Sequence, residues 1–178
     1  MELKLLVLIE SSDESKADGI YFSEVRRRFY TNFAHDHEGE VSIDLIPLNG
    51  KQNYNNEKIV KRIDNNISMN TSFQVDTAVI YCLDTDSLED SYKEGSFFYN
   101  VQKYCSDNNY DLVWFCKNVE NVFLNKEVGQ VSSKIEEAKT FARSDSINKI
   151  DEWRLSKQRI EFGCSNILCV LDKYLKRK

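Results

Sequence analysis

Four short apolar runs, at residues 3–9, 41–46, 77–83 and 112–116, alternate with longer segments whose apolar residues recur at helical spacing. Continuous runs of this length read as strands buried on both faces, which occur where helices cover a parallel sheet from both sides. Phe22, Val25, Phe29 and Phe33 share one face of a helix expected over about 18–34. Ile59, Val60, Ile63 and Ile67 do the same over about 56–68, and Phe97, Phe98, Val101, Tyr104 and Cys105 mark a third helix. Such alternation implies right-handed crossovers. Beyond Cys116 the pattern is helical, with Ile160, Cys164, Leu168, Leu171 and Leu175 forming a stripe along a last helix near 152–177. The expected architecture is α/β: a mostly parallel four-stranded sheet with helices on both faces. Its core spans 1–128, and a helical C-terminal extension over 129–178 packs on the same domain.

Charge narrows the functional classes. Lys and Arg total 24 against 29 Asp and Glu, a net charge of −5, which argues against a polyanion binder coated in positive charge. A local basic face remains compatible with that total. The five cysteines are odd in number and none forms a C-x-x-C pair, so a disulfide framework or structural zinc site fits poorly. They read as small buried hydrophobes. No apolar run approaches the roughly 20 residues of a membrane span. The acid-rich stretch after residue 10 does not resemble a secretory signal, and a cytoplasmic protein without membrane contact is expected.

Ligands of open parallel sheets bind outside the carboxyl ends of the strands. The first apolar run ends at Glu10, and the third, TAVIYCLDTDS, ends at Asp84 and Asp86. Alternate residues of extended chain point the same way, so the two aspartates can serve one site, joined by Glu10 if their strands are neighbours. Converging carboxylates repel one another, and a hard divalent cation relieves that repulsion. The same cation can stabilise charge on a phosphoryl group, so the spacing suits magnesium-dependent phosphodiester chemistry. Asp is also common in the turns that follow strands, which is the competing structural explanation.

The order of these elements resembles the Toprim domain, which has a Glu at the end of its first strand and a D-x-D at the end of a later one. Within that superfamily the chain looks most like the RloB-like proteins of bacterial defence loci, through LLVLIESSDESKADGIYF with its Tyr21-Phe22 pair and through Asn118 and Glu120 in WFCKNVENVFL. The resemblance covers roughly residues 3–128. It implies a nuclease or nuclease-related subunit in phage defence, with Asp84 and Asp86 holding Mg (or Mn) and Glu10 acting as general acid/base or further ligand. Glu120 is implied in the same catalytic site, although an acid opening a helix is also favoured by the dipole. The implied partner is nucleic acid, DNA or RNA, with a partner ATPase or homo-oligomer possible. Ser11-Ser12 stands where the Toprim pattern usually has Gly after the first Glu, which motivates a non-catalytic scaffold as the alternative.

Arg26, Arg27 and Arg28 lie within the first helix and could meet nucleic-acid phosphates, or simply form a solvated face. His35 and His37 form an H-x-H without a third ligand nearby and read as an exposed loop. Gly163, Ser165 and Asn166 read as close helix packing. A receiver-like signalling module would cast Asp13, Asp84 and Lys117 in its roles, although only Glu10 sits immediately at the first strand end. The six glycines form neither of the common nucleotide-binding loops.

Overall fold

The computed structural model of the chain describes residues 2–12, 16–35 and 39–178. Its main sheet has strands β1 (Leu3–Ile9), β3 (Val41–Pro47), β4 (Asp76–Asp84) and β5 (Asp111–Phe115), all parallel in the order β3-β1-β4-β5. The four strands expected from the apolar runs all form, with boundaries shifted by one residue at most. The chain moves outward from β1 to β3 and then returns to the other side of β1 at β4. The switch point of the sheet therefore lies between β1 and β4, where an open α/β sheet places its ligands.

Side-chain alternation assigns each strand residue to a layer. Leu5, Val7 and Ile9 of β1, with Ile80 and Cys82 of β4, face the layer containing α1 (Ala17–Phe29), α4 (Val119–Leu124), α5 (Val131–Arg143) and α7 (Ile167–Leu171). Leu6 and Leu8, with Val79, Tyr81 and Leu83, face α2 (Glu57–Ser72) and α3 (Phe97–Asp107). Both faces of the sheet are thus covered, as continuous apolar strands require. Helix α2 starts where the Asn56 side chain accepts from the Lys58 N–H at 2.9 Å. Helix α3 starts where Ser96 Oγ accepts from the Tyr99 N–H at 3.2 Å.

Two helical expectations are corrected. Helix α1 ends at Phe29, and Tyr30–Ala34 is strand β2, paired antiparallel with β6 (Leu175–Arg177). Tyr30 to Phe33 contain no strong helix former, and pairing with β6 satisfies backbone groups that a lengthened helix would satisfy internally. The Tyr30 hydroxyl donates to Asp172 Oδ1 at 2.8 Å and fixes this corner.

The second correction concerns 152–177, which is not one helix but α6 (Glu152–Leu155), an irregular segment, α7 and β6. Gly163 has φ +67, and its carbonyl accepts from Arg154 Nε at 3.1 Å and Nη2 at 2.8 Å. The segment runs along the outer edge of β5. The Gly163 N–H donates to Cys116 O at 2.9 Å, and the Cys116 N–H donates to Cys164 O at 3.0 Å. Asn166 completes the edge with its side chain, accepting from the Trp114 N–H and donating to Leu112 O, both at 2.9 Å. Gly163 and Asn166 therefore cover a strand edge that would otherwise expose unpaired backbone, rather than packing one helix on another.

Candidate functional site

Strands β1 and β4 end side by side, with Ile9 opposite Cys82, so Glu10 emerges next to Asp84. The Asp84 N–H donates to Glu10 Oε2 at 3.3 Å. Because Ile80 and Cys82 face α1, α4 and α5, Asp84 continues onto that side. There its Oδ1 accepts from the Val119 N–H at 2.9 Å, at the start of α4. Asp18, in the first turn of α1, accepts from the Ser11 N–H at 2.8 Å. Glu120 of α4 is fully buried, and Lys134 of α5 brings its Nζ within 3.3 Å of Glu120 Oε1. Tyr21, also fully buried, stacks on Phe123 with ring centres 5.1 Å apart. Its hydroxyl has no hydrogen-bond partner among the described residues.

The cluster is electrostatically loaded. Burial pushes the Asp84 carboxyl well above the usual carboxylate range, and the charges of Glu10, Asp18 and Glu120 push it further, with Lys134 opposing them. Burial likewise raises Asp18, against the hydrogen bond from the Ser11 N–H. Glu10 is raised by burial, while Lys51 and the Asp84 N–H hold it back. Burial alone would lower the Lys134 ammonium, but Glu120, Asp84 and Asp18 outweigh it and hold its proton more firmly than usual.

These directions give a pH dependence opposite to ordinary acid unfolding. The folded state takes up protons on Glu10, Asp18 and Asp84 at a higher pH than the unfolded chain does. Stability therefore rises as pH falls through the raised folded pKa values toward the unfolded value of about 4. Asp172 behaves in the usual way: burial is outweighed by hydrogen bonds from Arg177 and Tyr30, its pKa is lowered, and its stabilisation is lost only below the ordinary carboxylate range. Thermal melts in chelator should show a higher Tm at pH 5.5 than at pH 8. A Tm that rises steadily from pH 5.5 to pH 8 contradicts the electrostatic assignment.

Asp86 does not join Asp84 by alternation, as the extended-chain expectation required. It has φ +60, a left-handed conformation that ends the strand and turns its side chain away. Its carboxylate, two-thirds exposed, is paired with Lys51 in the turn preceding α2. The charges of both groups act on Glu10: those of Asp18 and Asp86 raise its pKa and that of Lys51 lowers it. The site thus has two compartments. One is acidic, with Asp84, Asp18 and Glu120 around Lys134; the other holds Asp86 and Lys51 near the start of α3.

The remaining candidates are placed elsewhere. Helix α1 begins at the carboxyl edge of the sheet and runs back about 20 Å, at 1.5 Å per residue, so its last turn lies far from the acids. In that turn Arg26 donates to Asn32 Oδ1 at 2.8 Å, Arg27 pairs with Glu24 and Asp145, and Arg28 donates to the carbonyls of Ile147 and Ile150. These arginines tie α1 to its neighbours at the opposite edge. Lys117 pairs with Glu127 rather than with Asp84. The N–H of His35 donates to Tyr174 O, whereas His37 and Asp13 lie outside the described residues. Asp18 and Lys134 were not singled out from sequence, and Tyr21 only as half of the Tyr21-Phe22 pair; Asp18 looks like a first-turn acid and Lys134 like a residue on a solvated helix.

Among the described residues, no three His, Cys, Asp or Glu side chains already converge on one point. The donor set nevertheless suits a hard divalent cation. Every donor is a carboxylate oxygen, burial and neighbouring charges raise Glu10, Asp18 and Asp84, and Glu120 Oε1, although 3.3 Å from the Lys134 ammonium, accepts no well-aligned hydrogen bond among the described residues. Their present positions serve the lysine. Compared with known proteins, the chain matches no family model and no curated protein.

Proposed function

We propose that the chain is a magnesium- or manganese-dependent phosphodiesterase acting on nucleic acid, a Toprim-like nuclease or nuclease-related subunit of bacterial phage defence working in the cytoplasm. The observation that carries this reading is the meeting of Glu10, Asp84, Asp18 and Glu120 at the switch point of the sheet, with three of them raised by burial. Glu10, Asp84, Asp18 and Glu120 would hold the cation, and Asp86 would join them only with a rearrangement of the left-handed turn that carries it as well as release from Lys51. When bound, such a cation stabilises the charge that develops on a phosphoryl group. Glu10 keeps its proton to a higher pH than a free carboxyl and borders both compartments, which suits a group that hands on a proton. DNA or RNA is the substrate class, and a partner ATPase or a second copy would complete the assembly.

The alternative is a binding scaffold that keeps the fold without the chemistry. It is favoured by the Lys134 ammonium beside Glu120 and by the Asp86–Lys51 pair, which neutralise the acids internally. A nuclease assay separates the two. Asp84→Ala with Asp86→Ala should abolish divalent-dependent cleavage of single- and double-stranded substrates while circular dichroism stays unchanged. Equal cleavage by the double variant refutes the assignment, and absence of cleavage and of metal binding in the wild type favours the scaffold.

A further inference from the structure

We infer that Tyr21 is a positioning residue of the cation site: when Glu120 turns from Lys134 to a bound divalent cation, the Tyr21 hydroxyl donates to the carboxylate and holds its other oxygen toward the metal. The inference rests on the cation reading above, although part of its test needs no metal. Tyr21 and Glu120 are both fully buried, and each has one unused hydrogen-bonding atom. The Tyr21 hydroxyl has no partner among the described residues. Lys134 donates to Glu120 Oε2 at 3.4 Å, whereas Oε1, 3.3 Å from the same ammonium, accepts no well-aligned hydrogen bond there. An open buried donor and an open buried acceptor in one cluster cost stability, and a bound state that joins them recovers it.

The helices aim the hydroxyl at the acids. Long helical side chains lean toward the amino end of their own helix. Tyr21 lies one turn after Asp18 in α1, so it leans back toward Asp18 and the carboxyl edge of the sheet. Phe123 likewise lies one turn after Glu120 in α4, and Phe141 two turns after Lys134 in α5. These two rings clamp Tyr21, Phe123 stacked at 12° and Phe141 tilted at 55°, each with its centre 5.1 Å away. The clamp leaves the ring little freedom and holds the hydroxyl beneath the layer of Asp18, Glu120 and Lys134. Burial raises Tyr21 above the usual phenol range, and the charges of Glu120, Glu137 and Asp18 raise it further, so the hydroxyl stays protonated as a donor.

Of the three acids whose charges reach this hydroxyl, Glu120 has the open oxygen. Glu137 pairs with Lys126 at 2.7 Å, and Asp18 accepts from the Ser11 N–H. While the lysine holds Glu120, the tyrosine contributes nothing to the carboxylate. A cation that displaces the ammonium removes that hydrogen bond, and the tyrosine supplies the replacement. Ligating carboxylates are commonly held by such a second partner, whose loss weakens metal binding by about 10–100-fold.

The test combines Tyr21→Phe, which keeps the clamped ring, with calorimetric manganese titration and thermal melts of the full chain. Manganese should bind about 10–100-fold more weakly to Tyr21→Phe than to the wild type. In EDTA the same change should leave the Tm equal to or above that of the wild type, because it removes a hydroxyl without a partner. In the Lys134→Met background, where the tyrosine is the donor left to the carboxylate, it should instead lower the Tm. Equal manganese affinity of Tyr21→Phe and wild type overturns the inference and leaves the cation site standing, while no uptake by the wild type overturns both. A Tm that Tyr21→Phe changes alike in both backgrounds separates the hydroxyl from Glu120 and also overturns the inference. Should Lys134→Met fail to fold, the manganese titration decides alone.

Discussion

Lys134→Met should lose about 3 kcal/mol of stability at neutral pH in the presence of chelator, and millimolar magnesium should return most of it. Lys134 is the cation within reach of Glu120, which has no exposed surface, and it opposes the charges of Asp84 and Asp18 as well. Removing one partner of a buried pair typically costs about 3–5 kcal/mol, because the other charge is left unpaired. A third of the lysine side chain remains exposed, which places the loss at the lower end of that range. Methionine keeps most of the volume and apolar stem, so lost packing contributes little. A divalent cation supplies the missing positive charge, and the variant should bind it more tightly than the wild type because the ammonium no longer competes. Urea unfolding with and without magnesium measures both effects. A neutral substitution, or a loss that magnesium leaves untouched, means that the lysine is not the counter-ion of the cluster.

Asp84→Asn should move stability and activity in opposite directions. The carboxylate is buried among like charges, and the raised pKa records how unfavourable that ionisation is. An asparagine retains an oxygen for the Val119 N–H and removes the charge. Stability at neutral pH should increase by about 1–2 kcal/mol, as when other poorly compensated buried charges are neutralised. Divalent-dependent cleavage should fall by about a thousandfold, the scale on which loss of one electrostatic contact to a reacting centre is felt. A variant that is more stable and still fully active would show that Asp84 carries no catalytic burden. A variant that is inactive because it is unfolded would show instead that the charge is structurally required.

The sheet was legible because its strands are buried on both faces and therefore appear as uninterrupted apolar runs. Their terminal acids Glu10 and Asp84 followed directly, since the residue that closes or follows a buried strand is the first to reach the edge. Asp86 was misplaced because alternation holds only while the backbone stays extended, and a single left-handed residue moved it to the opposite layer. Asp18 and Lys134 could not be seen as partners. Each sits on an amphipathic helix at an ordinary polar position, and only the docking of α5 against α1 and α4 brings the lysine to the acids. The C-terminal stripe shows the reverse failure. Ile160, Cys164 and Leu168 do recur at helical spacing, but Gly163 and Asn166 gain more by satisfying the edge of β5 than a continuous helix would offer. Long-range backbone pairing of that kind leaves no local periodicity to read.

Manganese titration, followed by electron paramagnetic resonance and calorimetry at pH 7.5, is the most direct test of whether these acids form a cation site. The wild type is expected to take up manganese at millimolar concentration or below, with Lys134→Met binding more tightly and Asp84→Asn losing the site. No uptake by either the wild type or Lys134→Met, or uptake that Asp84→Asn leaves unchanged, would contradict it.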